Sequence, residues 1–386
     1  MNRNYAIDYF KFFAVFFVVC IHTAPFKGMF LWGINGSDIN LILETFARFA
    51  VPFFFVASGF LFSNKLLILE ETTSYFVKYF KKLLKLFLSW TLFYIMYGLC
   101  LSLFRAYAAG LNIKTELFNY VNNLIGLKSI TEFILYGAVN APASFHLWYL
   151  SALIWSLLIV YIFIKINKLR YLLIISLVLN IVGLFGQTYS GLFKLNIIDF
   201  PTRDALFFGL FYTSLGAFFA CHHEKIKEKM LNIKSSILVW FFIIFSLTQV
   251  LERIVAELLW PKEIIATNYY FSTILVTICL FLFIIKNNQM GKDSRLSQIG
   301  ENAVGIYVSH TVFINIISSF FSFLEIEVNK FILYHFLITP GVFVLGYFYY
   351  QLLQKYKHTI KIRFYNRIQV LLKKSNTEKK GRKINV

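Results

Sequence analysis

A chain of 386 residues would ordinarily divide into two or three soluble domains, but 58% of these residues are hydrophobic and only 15% are charged. Apolar runs of about 18 to 20 residues recur along the whole chain, and runs of that length cross a bilayer as helices. They do not alternate apolar and polar residues, as the strands of a closed barrel would. The composition therefore predicts an all-α integral membrane protein with one helical domain.

The sequence predicts about ten transmembrane helices. The apolar runs are centred near residues 16, 54, 94, 155, 180, 213, 244, 277, 312 and 341. If the N-terminus is cytosolic, roughly 28 of the 38 Lys and Arg lie on the inner side. This positive-inside distribution accounts for the net charge of +19 and argues against nucleic acid as a partner. It predicts cytosolic termini, a membrane domain over 1–354 and a basic cytosolic tail over 355–386.

The first run, "DYFKFFAVFFVVCIH", carries Asp8 and Lys11 at its start and His22 at its end. Eleven residues turn a helix through about 1100°, so Lys11 and His22 share one face about 16 Å apart, and Asp8 falls on the same side. Ionisable groups are tolerated in a span when they face a protein interior or a water-filled cavity. The pattern predicts that Lys11 and His22 line one passage. The alternative is a snorkelling lysine and an interfacial histidine.

The second run, "ETFARFAVPFFFVASGFLF", places Glu44 and Arg48 four residues apart, a spacing that suits an ion pair on a helix. Further along, Ser58 and Gly59 are small enough to allow a close approach of another helix. A purely structural ion pair and packing site is the alternative interpretation.

Three later runs carry polar groups as well. They contain His146 and Trp148 in "FHLWYLSALIW", Arg203 in "TRDALFFGLFYTSLG", and Tyr307 and His310 in "IGENAVGIYVSH". Trp148 is also typical of the aromatic belt at a membrane surface. Separate spans thus bring polar groups to the outer side, with His310 deeper, and we expect them to share a polar vestibule.

The basic segment "KYFKKLLKLF" adds Lys81, Lys82 and Lys85 on the predicted inner side, where Lys11 also lies. These lysines could attract a phosphorylated ligand. The alternative interpretation is that they only mark this loop as cytosolic, as inner-side lysines ordinarily do. The sequence contains no P-loop, zinc-protease motif or nucleophile elbow, so neither a metal site nor a tightly bound cofactor is predicted.

Taken in order, these motifs resemble the membrane acyltransferase-3 family over about residues 5–350. The resemblance is to a Gram-positive branch that includes cell-wall O-acetyltransferases and the membrane half of membrane-bound serine racemases. The first-helix signature of the family is an arginine, ten residues and a histidine. His22 matches that histidine, whereas Lys11 replaces the arginine and keeps its charge without its bidentate fork.

The resemblance implies a multi-pass enzyme of the bacterial plasma membrane. Acyl-CoA, usually acetyl-CoA, would be its co-substrate, and a hydroxyl of a cell-surface or lipid-linked glycan its acceptor. We expect no fused extracytoplasmic esterase-like domain, so transfer is direct or passes through a separate extracytoplasmic protein.

The resemblance also suggests roles for individual residues. His22 would be the general base or a covalent acyl carrier, and Arg48 or Arg203 would orient the acceptor or stabilise an oxyanion. Acyl-CoA would dock beside the lysines named above. His146, Tyr307 and His310 are expected to share the task of orienting the acceptor or an oxyanion. The residues expected to be structural are Asp8, Glu44, Ser58, Gly59 and Trp148.

Two other functions remain open on the sequence. A transporter or exporter of a cell-envelope precursor would also contain charged spans, although no inverted repeat is evident and few charges lie at the midplane. A membrane module that works with a separate enzyme is the other possibility.

The topology can be tested directly. A reporter fused after Val386 is expected to be active only in the cytosol, because the inner loops carry most of the positive charge. The measurement is the activity of paired cytosolic and extracytoplasmic reporters. Activity only outside the cell would contradict the whole topology.

Overall fold

The computed structural model describes residues 3–31, 33–125, 127–193, 201–260 and 266–382. Helices form nearly all the regular structure in these segments. The exception is a small antiparallel hairpin of strands β1 (Phe30–Leu31) and β2 (Ile34–Asn35). The prediction of an all-α integral membrane protein is confirmed.

The helices follow one another with short connections. The first eight are α1 (Tyr5–Thr23), α2 (Gly36–Ala47), α3 (Ala50–Leu66), α4 (Thr72–Ala108), α5 (Ile113–Ile125), α6 (Leu127–Tyr136), α7 (Trp148–Lys165) and α8 (Leu169–Leu184). The remaining seven are α9 (Leu210–Cys221), α10 (His223–Leu231), α11 (Ser235–Leu259), α12 (Phe271–Lys286), α13 (Arg295–Gly300), α14 (Ala303–Phe323) and α15 (Ile332–Arg382). A short 3-10 helix (Phe145–Leu147) precedes α7, and a π-helical turn (Ala205–Gly209) precedes α9.

Each of the predicted apolar runs coincides with a helix, but not every helix is long enough to cross a bilayer. Within the described residues, seven helical segments are long and apolar enough, and an eighth is obtained if the pair Ala205–Cys221 and His223–Leu231, bent by 78°, is one span. The two shorter helices, α8 and α12, have 16 residues each. They reach about 24 Å, less than the roughly 30 Å of hydrocarbon. Seven or eight spans are therefore supported, and ten crossings with cytosolic termini remain a prediction.

Helix α1 occupies a central position, in contact with α2, α3, α12, α13, α14 and α15. The Asn4 side chain caps its first turn by accepting a hydrogen bond from the Ile7 amide at 3.3 Å. Between its polar residues lie the buried Val15, Val18 and Val19. A central helix exposes little of its surface to lipid, which is the setting that charged residues in a span require.

Helices α3 and α9 cross at unusually short range because each contributes a glycine. A Cβ atom on Gly59 would lie 2.1 Å from the Thr213 carbonyl oxygen, and one on Gly216 would lie 2.0 Å from the Val56 carbonyl oxygen. Gly59 thus lies at a close approach of the kind expected from the sequence. The crossing holds Ser58, its neighbour, near the centre of the bundle.

Helix α15 runs from Ile332 to Arg382 without ending at residue 354. The boundary predicted between 354 and 355 is therefore not marked by a break in secondary structure. The division into a membrane domain and a basic tail stays a prediction, and residues 383–386 of that tail lie outside the described segments.

The glycine crossing yields a stability prediction. Gly216→Ala is expected to destabilise the bundle by about 1–3 kcal/mol or more, because its methyl group would meet backbone atoms that cannot move independently. The measurement is the thermal unfolding midpoint of the purified protein in detergent. Gly341→Ala is the control, since no atom lies within 4 Å of a Cβ there. Equal unfolding midpoints in the two variants would contradict the close approach of α3 and α9 at Gly216.

Candidate active site

Three histidines from distant parts of the chain form a row in the bundle. His22 lies near the end of α1, His146 in the 3-10 helix before α7, and His310 in α14. The rings of His22 and His310 stack with centroids 5.2 Å apart, and those of His310 and His146 meet edge-on at 5.1 Å. His310 is therefore the middle member of the row. Three of the polar groups expected to share a vestibule are in contact.

Hydrogen bonds to backbone carbonyls determine which nitrogen of two of these rings carries a proton. The Nδ1 of His310 lies 2.6 Å from the Tyr307 carbonyl oxygen, and the Nδ1 of His146 lies 3.1 Å from that of Ala143. A carbonyl oxygen only accepts, so both Nδ1 atoms are donors. In the neutral rings the Nε2 atoms then carry lone pairs. Within the described part of the chain, both Nε2 atoms are buried without a partner, which leaves each of them free to accept a hydrogen bond.

Two tyrosines hold this row in place. The Tyr307 hydroxyl donates to the backbone carbonyl of His146. The Tyr94 hydroxyl donates to the Val308 carbonyl oxygen at 2.8 Å and lies 2.7 Å from the Thr311 hydroxyl. Tyr94 was not anticipated from the sequence, because nothing in its local pattern separates it from the chain's other tyrosines.

Two arginines meet at one asparagine. Arg203 places its guanidinium 4.9 Å from the centre of the Trp148 ring and donates to Asn268 Oδ1 at 2.7 Å. Arg48 pairs with Glu44 and donates to the same Oδ1 at 3.3 Å. Trp148 therefore supports Arg203 within the protein in addition to any interfacial role. Asn268 was also missed from the sequence, where it is only one polar residue in a connection.

The two guanidiniums leave an excess of positive charge beside the histidines. Among the described residues, Glu44 is the one carboxylate that pairs with either of them. Burial and the nearby charge of Arg48 lower the pKa of Arg203 to about 10, so Arg203 stays charged at neutral pH. Both charges act on His22. This end of the row favours an anion, or an oxygen on which negative charge develops.

A cavity of about 280 Å³ approaches the histidine row from the predicted cytosolic side. It extends along α3 from Leu61 to Val51, about 15 Å of helix. The polar residues of its lining are Lys11, Ser58, Tyr79, Lys82, Tyr149, Glu301 and Tyr307. Since Tyr307 both lines the cavity and lies 5.2 Å from the His146 ring, the cavity reaches the edge of the row.

An ion network surrounds the predicted cytosolic mouth of this cavity. Lys11 Nζ lies 3.0 Å from Asp8 Oδ1, and Arg3 donates to Asp8 Oδ2 at 2.9 Å. Arg3 also pairs with Glu301. Lys11 lines the cavity, whereas His22 is not part of its lining, so a single passage past both residues stays a prediction. The charge of Lys11 is partly balanced by Asp8.

The lysines of α4 divide into two groups. All three lysines are exposed, and Lys82 lines the cavity, whereas Lys81 and Lys85 are not part of its lining. Tyr79, which lies three residues before Lys82 on α4, also lines the cavity. One face of α4 thus contacts the cavity, and the other lysines contribute charge from outside it.

The chain matches the family model described as an acyltransferase domain over residues 4–351. Together with the long apolar helices, this match supports a multi-pass membrane acyltransferase. The chain belongs to the acyltransferase-3 family, as the resemblance in the sequence predicted.

Curated relatives add a second observation. An amino-acid racemase of Enterococcus faecalis is 24% identical over 371 residues, which cover 94% of this chain and 47% of that protein. A serine/alanine racemase of Enterococcus gallinarum is 30% identical over 220 residues, which cover 56% of this chain and 28% of that protein. The chain thus spans about half the length, or less, of the curated relatives it matches. No solved structure matches the chain.

The shared asparagine yields a second stability prediction. Asn268→Ala is expected to destabilise the protein by about 1–3 kcal/mol, because two guanidiniums lose their common acceptor and move into closer repulsion. The measurement is again the unfolding midpoint in detergent, with Asn232→Ala, at an exposed asparagine after α10, as the matched control. An unchanged midpoint in Asn268→Ala would show that Asn268 does not hold the arginines.

Proposed function

We propose that the protein transfers an acyl group, acetyl in the simplest case, from cytosolic acyl-CoA to a hydroxyl of a cell-surface carbohydrate or lipid-linked acceptor, in the bacterial plasma membrane. The observation that carries the proposal is the continuity between the cavity and the histidine row at Tyr307. A thioester arm that enters beside Lys11 and Lys82 would reach imidazoles with free acceptor nitrogens. Family membership supports the acyl transfer itself.

The donor side of the proposal rests on charge and shape. The phosphates of acyl-CoA are anionic, and Lys82 offers a cation at the cavity, while Lys11 is shared with Asp8. The exposed Lys81 and Lys85 add positive potential near the mouth. Beyond the mouth, the lining is mostly Leu, Val, Phe and Tyr, which suits a narrow pantetheine arm better than a charged group.

The proposed reaction needs one histidine to carry the proton from the acceptor hydroxyl to the leaving thiolate. The acceptor hydroxyl oxygen attacks the thioester carbonyl carbon, a C–O bond forms and the C–S bond breaks. The hydroxyl proton passes to His22 and leaves on the CoA thiolate, which departs as the thiol. Alternatively, His22 first carries the acyl group and then passes it to the hydroxyl, with the same products. His310, stacked on His22 with a free Nε2, can hold or relay the proton in either route.

The arginines supply the electrostatic part of the proposal. Negative charge develops on the thioester carbonyl oxygen during attack, and fixed positive charge beside it lowers the barrier. Arg203 is held by Trp148 and Asn268 and has its charge available, since no carboxylate in the described segments pairs with it. Arg48 is paired with Glu44 and is better suited to orient the acceptor.

The relatives favour a second candidate function. Because the matched proteins are named as racemases and are about twice the length of this chain or more, the chain could instead be a membrane module that serves a separate enzyme. In that case the vestibule would hold a small substrate for the partner, and no acyl group would move.

One experiment tests the reaction and the role of His22 together. A deletion strain is complemented with the wild type, His22→Ala or His22→Gln at matched membrane expression, and acylation of surface glycans is measured by mass spectrometry. Deletion is expected to remove one acyl increment. Both variants are expected to lose about 10² to 10⁴-fold of the turnover, because glutamine keeps the polarity of histidine but does not titrate.

His222→Gln serves as the control, since this half-buried histidine at the end of α9 lies outside the row. It should restore acylation. If His22→Gln retains more than about a tenth of wild-type turnover, its loss falls short of a positioned base, and the catalytic role is wrong. Unchanged glycans in the deletion strain would contradict acyl transfer to them and favour the module.

A further inference from the structure

The connection between α4 and α7 contains two helices that have no part in the mechanism above. Helices α5 and α6, of 13 and 10 residues, reach about 20 Å and about 15 Å, which is too short to cross a bilayer. The helical segments on either side of them, Thr72–Ala108 and Phe145–Lys165, are long and apolar enough to cross. The connection therefore begins and ends on one side of the membrane, the predicted outer side.

This connection folds back along α4 instead of lying beyond its end. Helix α4 ends at Ala108, but the Tyr120 hydroxyl of α5 donates to the Ile95 carbonyl oxygen at 2.8 Å. The Phe133 ring of α6 stacks on the Phe87 ring with centroids 5.2 Å apart. At 1.5 Å a residue, these two contacts lie about 20 Å and about 32 Å back from the end of α4.

A tryptophan in the next span shows how deep the connection reaches. Trp155 is the middle residue of the span Phe145–Lys165, so it lies about 15 Å from either end, near the bilayer midplane. Its indole nitrogen donates to the Ile134 carbonyl oxygen at 2.9 Å. An indole N–H inside a bilayer needs an acceptor, and the last carbonyl oxygens of α6 need donors, so this bond satisfies both groups. The end of α6 thus reaches the midplane.

The end of α6 is closed as a helix end inside a membrane must be. The Gly137 amide donates to the Phe133 carbonyl oxygen at 2.9 Å, and the Ala138 amide donates to that of Glu132 at 3.3 Å. Gly137 adopts a φ of 66°, which turns the chain back, and a Cβ there would lie 2.6 Å from Ser151 Cβ. Irregular backbone at this depth is tolerated where protein buries it, and Gly137 is buried.

The exposed side of α6 is apolar. Ile130, Ile134 and Leu135 are each about half exposed, whereas the Phe133 ring packs on α4. The half-buried Glu132 lies two residues from both isoleucines, so it projects about 160° away from them around the helix. The side chains that α6 exposes at this depth therefore suit hydrocarbon better than water.

Helix α5 is amphipathic, as a helix at the point of entry into a membrane should be. Leu117, Phe118 and Val121 are exposed on one side, and Asn119 and Asn123 are exposed on the opposite side. A helix of this kind buries its apolar side among acyl chains and leaves its polar side to headgroups and water.

We propose that α5 and α6 form a re-entrant segment whose exposed apolar side binds the acyl chains of lipids in the predicted outer leaflet. Lipid is the occupant because a side chain at the depth of Trp155 is surrounded by hydrocarbon wherever protein does not cover it. A cap on the outer surface is the usual alternative for such a connection. It would place Ile130 and Ile134 in water, and it would not bring Ile134 to the middle residue of a span.

Electron paramagnetic resonance of the full-length protein in phosphatidylcholine vesicles tests the segment. In a background with the four cysteines replaced by alanine, nitroxide labels are attached to Ile134→Cys and Phe118→Cys. Power saturation compares their accessibility to oxygen and to a water-soluble nickel chelate. Leu247→Cys, the exposed middle residue of α11, is the lipid reference, and Lys27→Cys, exposed after α1, is the aqueous reference. We expect the Ile134 label to match the lipid reference and the Phe118 label to lie between the two references.

Three results would overturn the proposal. An Ile134 label that matches the aqueous reference would show a cap outside the membrane. One no deeper than the Phe118 label would show that α6 stays at the surface. Low accessibility to both reagents would show that protein, such as a second copy of the chain, covers this side. If Ile134→Cys lowers the unfolding midpoint in detergent, Ile130→Cys, one turn earlier on the same exposed side, decides in the same way.

A second variant tests the bond that holds α6 at the midplane. Trp155→Phe removes the indole donor, so the Ile130 label is expected to move toward the aqueous reference, because the Ile134 carbonyl oxygen is then unsatisfied in hydrocarbon. Trp240→Phe, at an exposed tryptophan of α11, is the matched control and should leave the label at its depth. An unchanged depth in Trp155→Phe would overturn the midplane position derived from this bond.

Discussion

The contact between the imidazoles of His22 and His310 joins the first helix to α14, and much of the remaining structure follows from it. An imidazole inside a bilayer is costly unless it faces protein or water, so two of them must share an interior. Sharing it draws α1 into the centre of the bundle, where it contacts α3, α14 and α15. The same position brings Lys11 to the cavity wall, because Lys11 and His22 lie on one side of α1.

Local spacing accounts for the parts of the site that could be predicted from the sequence. The eleven-residue spacing of Lys11 and His22 and the four-residue spacing of Glu44 and Arg48 place each pair on one face of a helix, whatever the tertiary fold. Contacts between distant segments could not be derived in this way. Asn268 bridges Arg203 and Arg48 across 65 and 220 residues of sequence, and no periodicity encodes such a meeting.

The number of spans shows the same difference between what local sequence determines and what tertiary contacts determine. Hydropathy identified the helices, because apolar runs are a property of the local sequence, but α8 and α12 end after 16 residues. Where each helix ends depends on its neighbours: α8 is tied at Asn180, which donates to the Phe207 carbonyl oxygen at 2.8 Å, beside the π-helical turn. The rotation of α4 about its axis is likewise a tertiary property. It decides that Lys82 and not Lys81 or Lys85 lines the cavity.

The ion network at the cavity mouth has a consequence for how the protein responds to ionic strength. Arg3 and Lys11 are matched in number by Asp8 and Glu301, so the four groups carry no net charge together. A polyanion that enters must replace carboxylates that already hold these cations. Dissolved salt screens the internal pairs as well as the attraction to the incoming anion, so the two effects partly cancel. These four groups therefore add less to the salt dependence of entry than do the lysines of α4, which form no ion pair among the described residues.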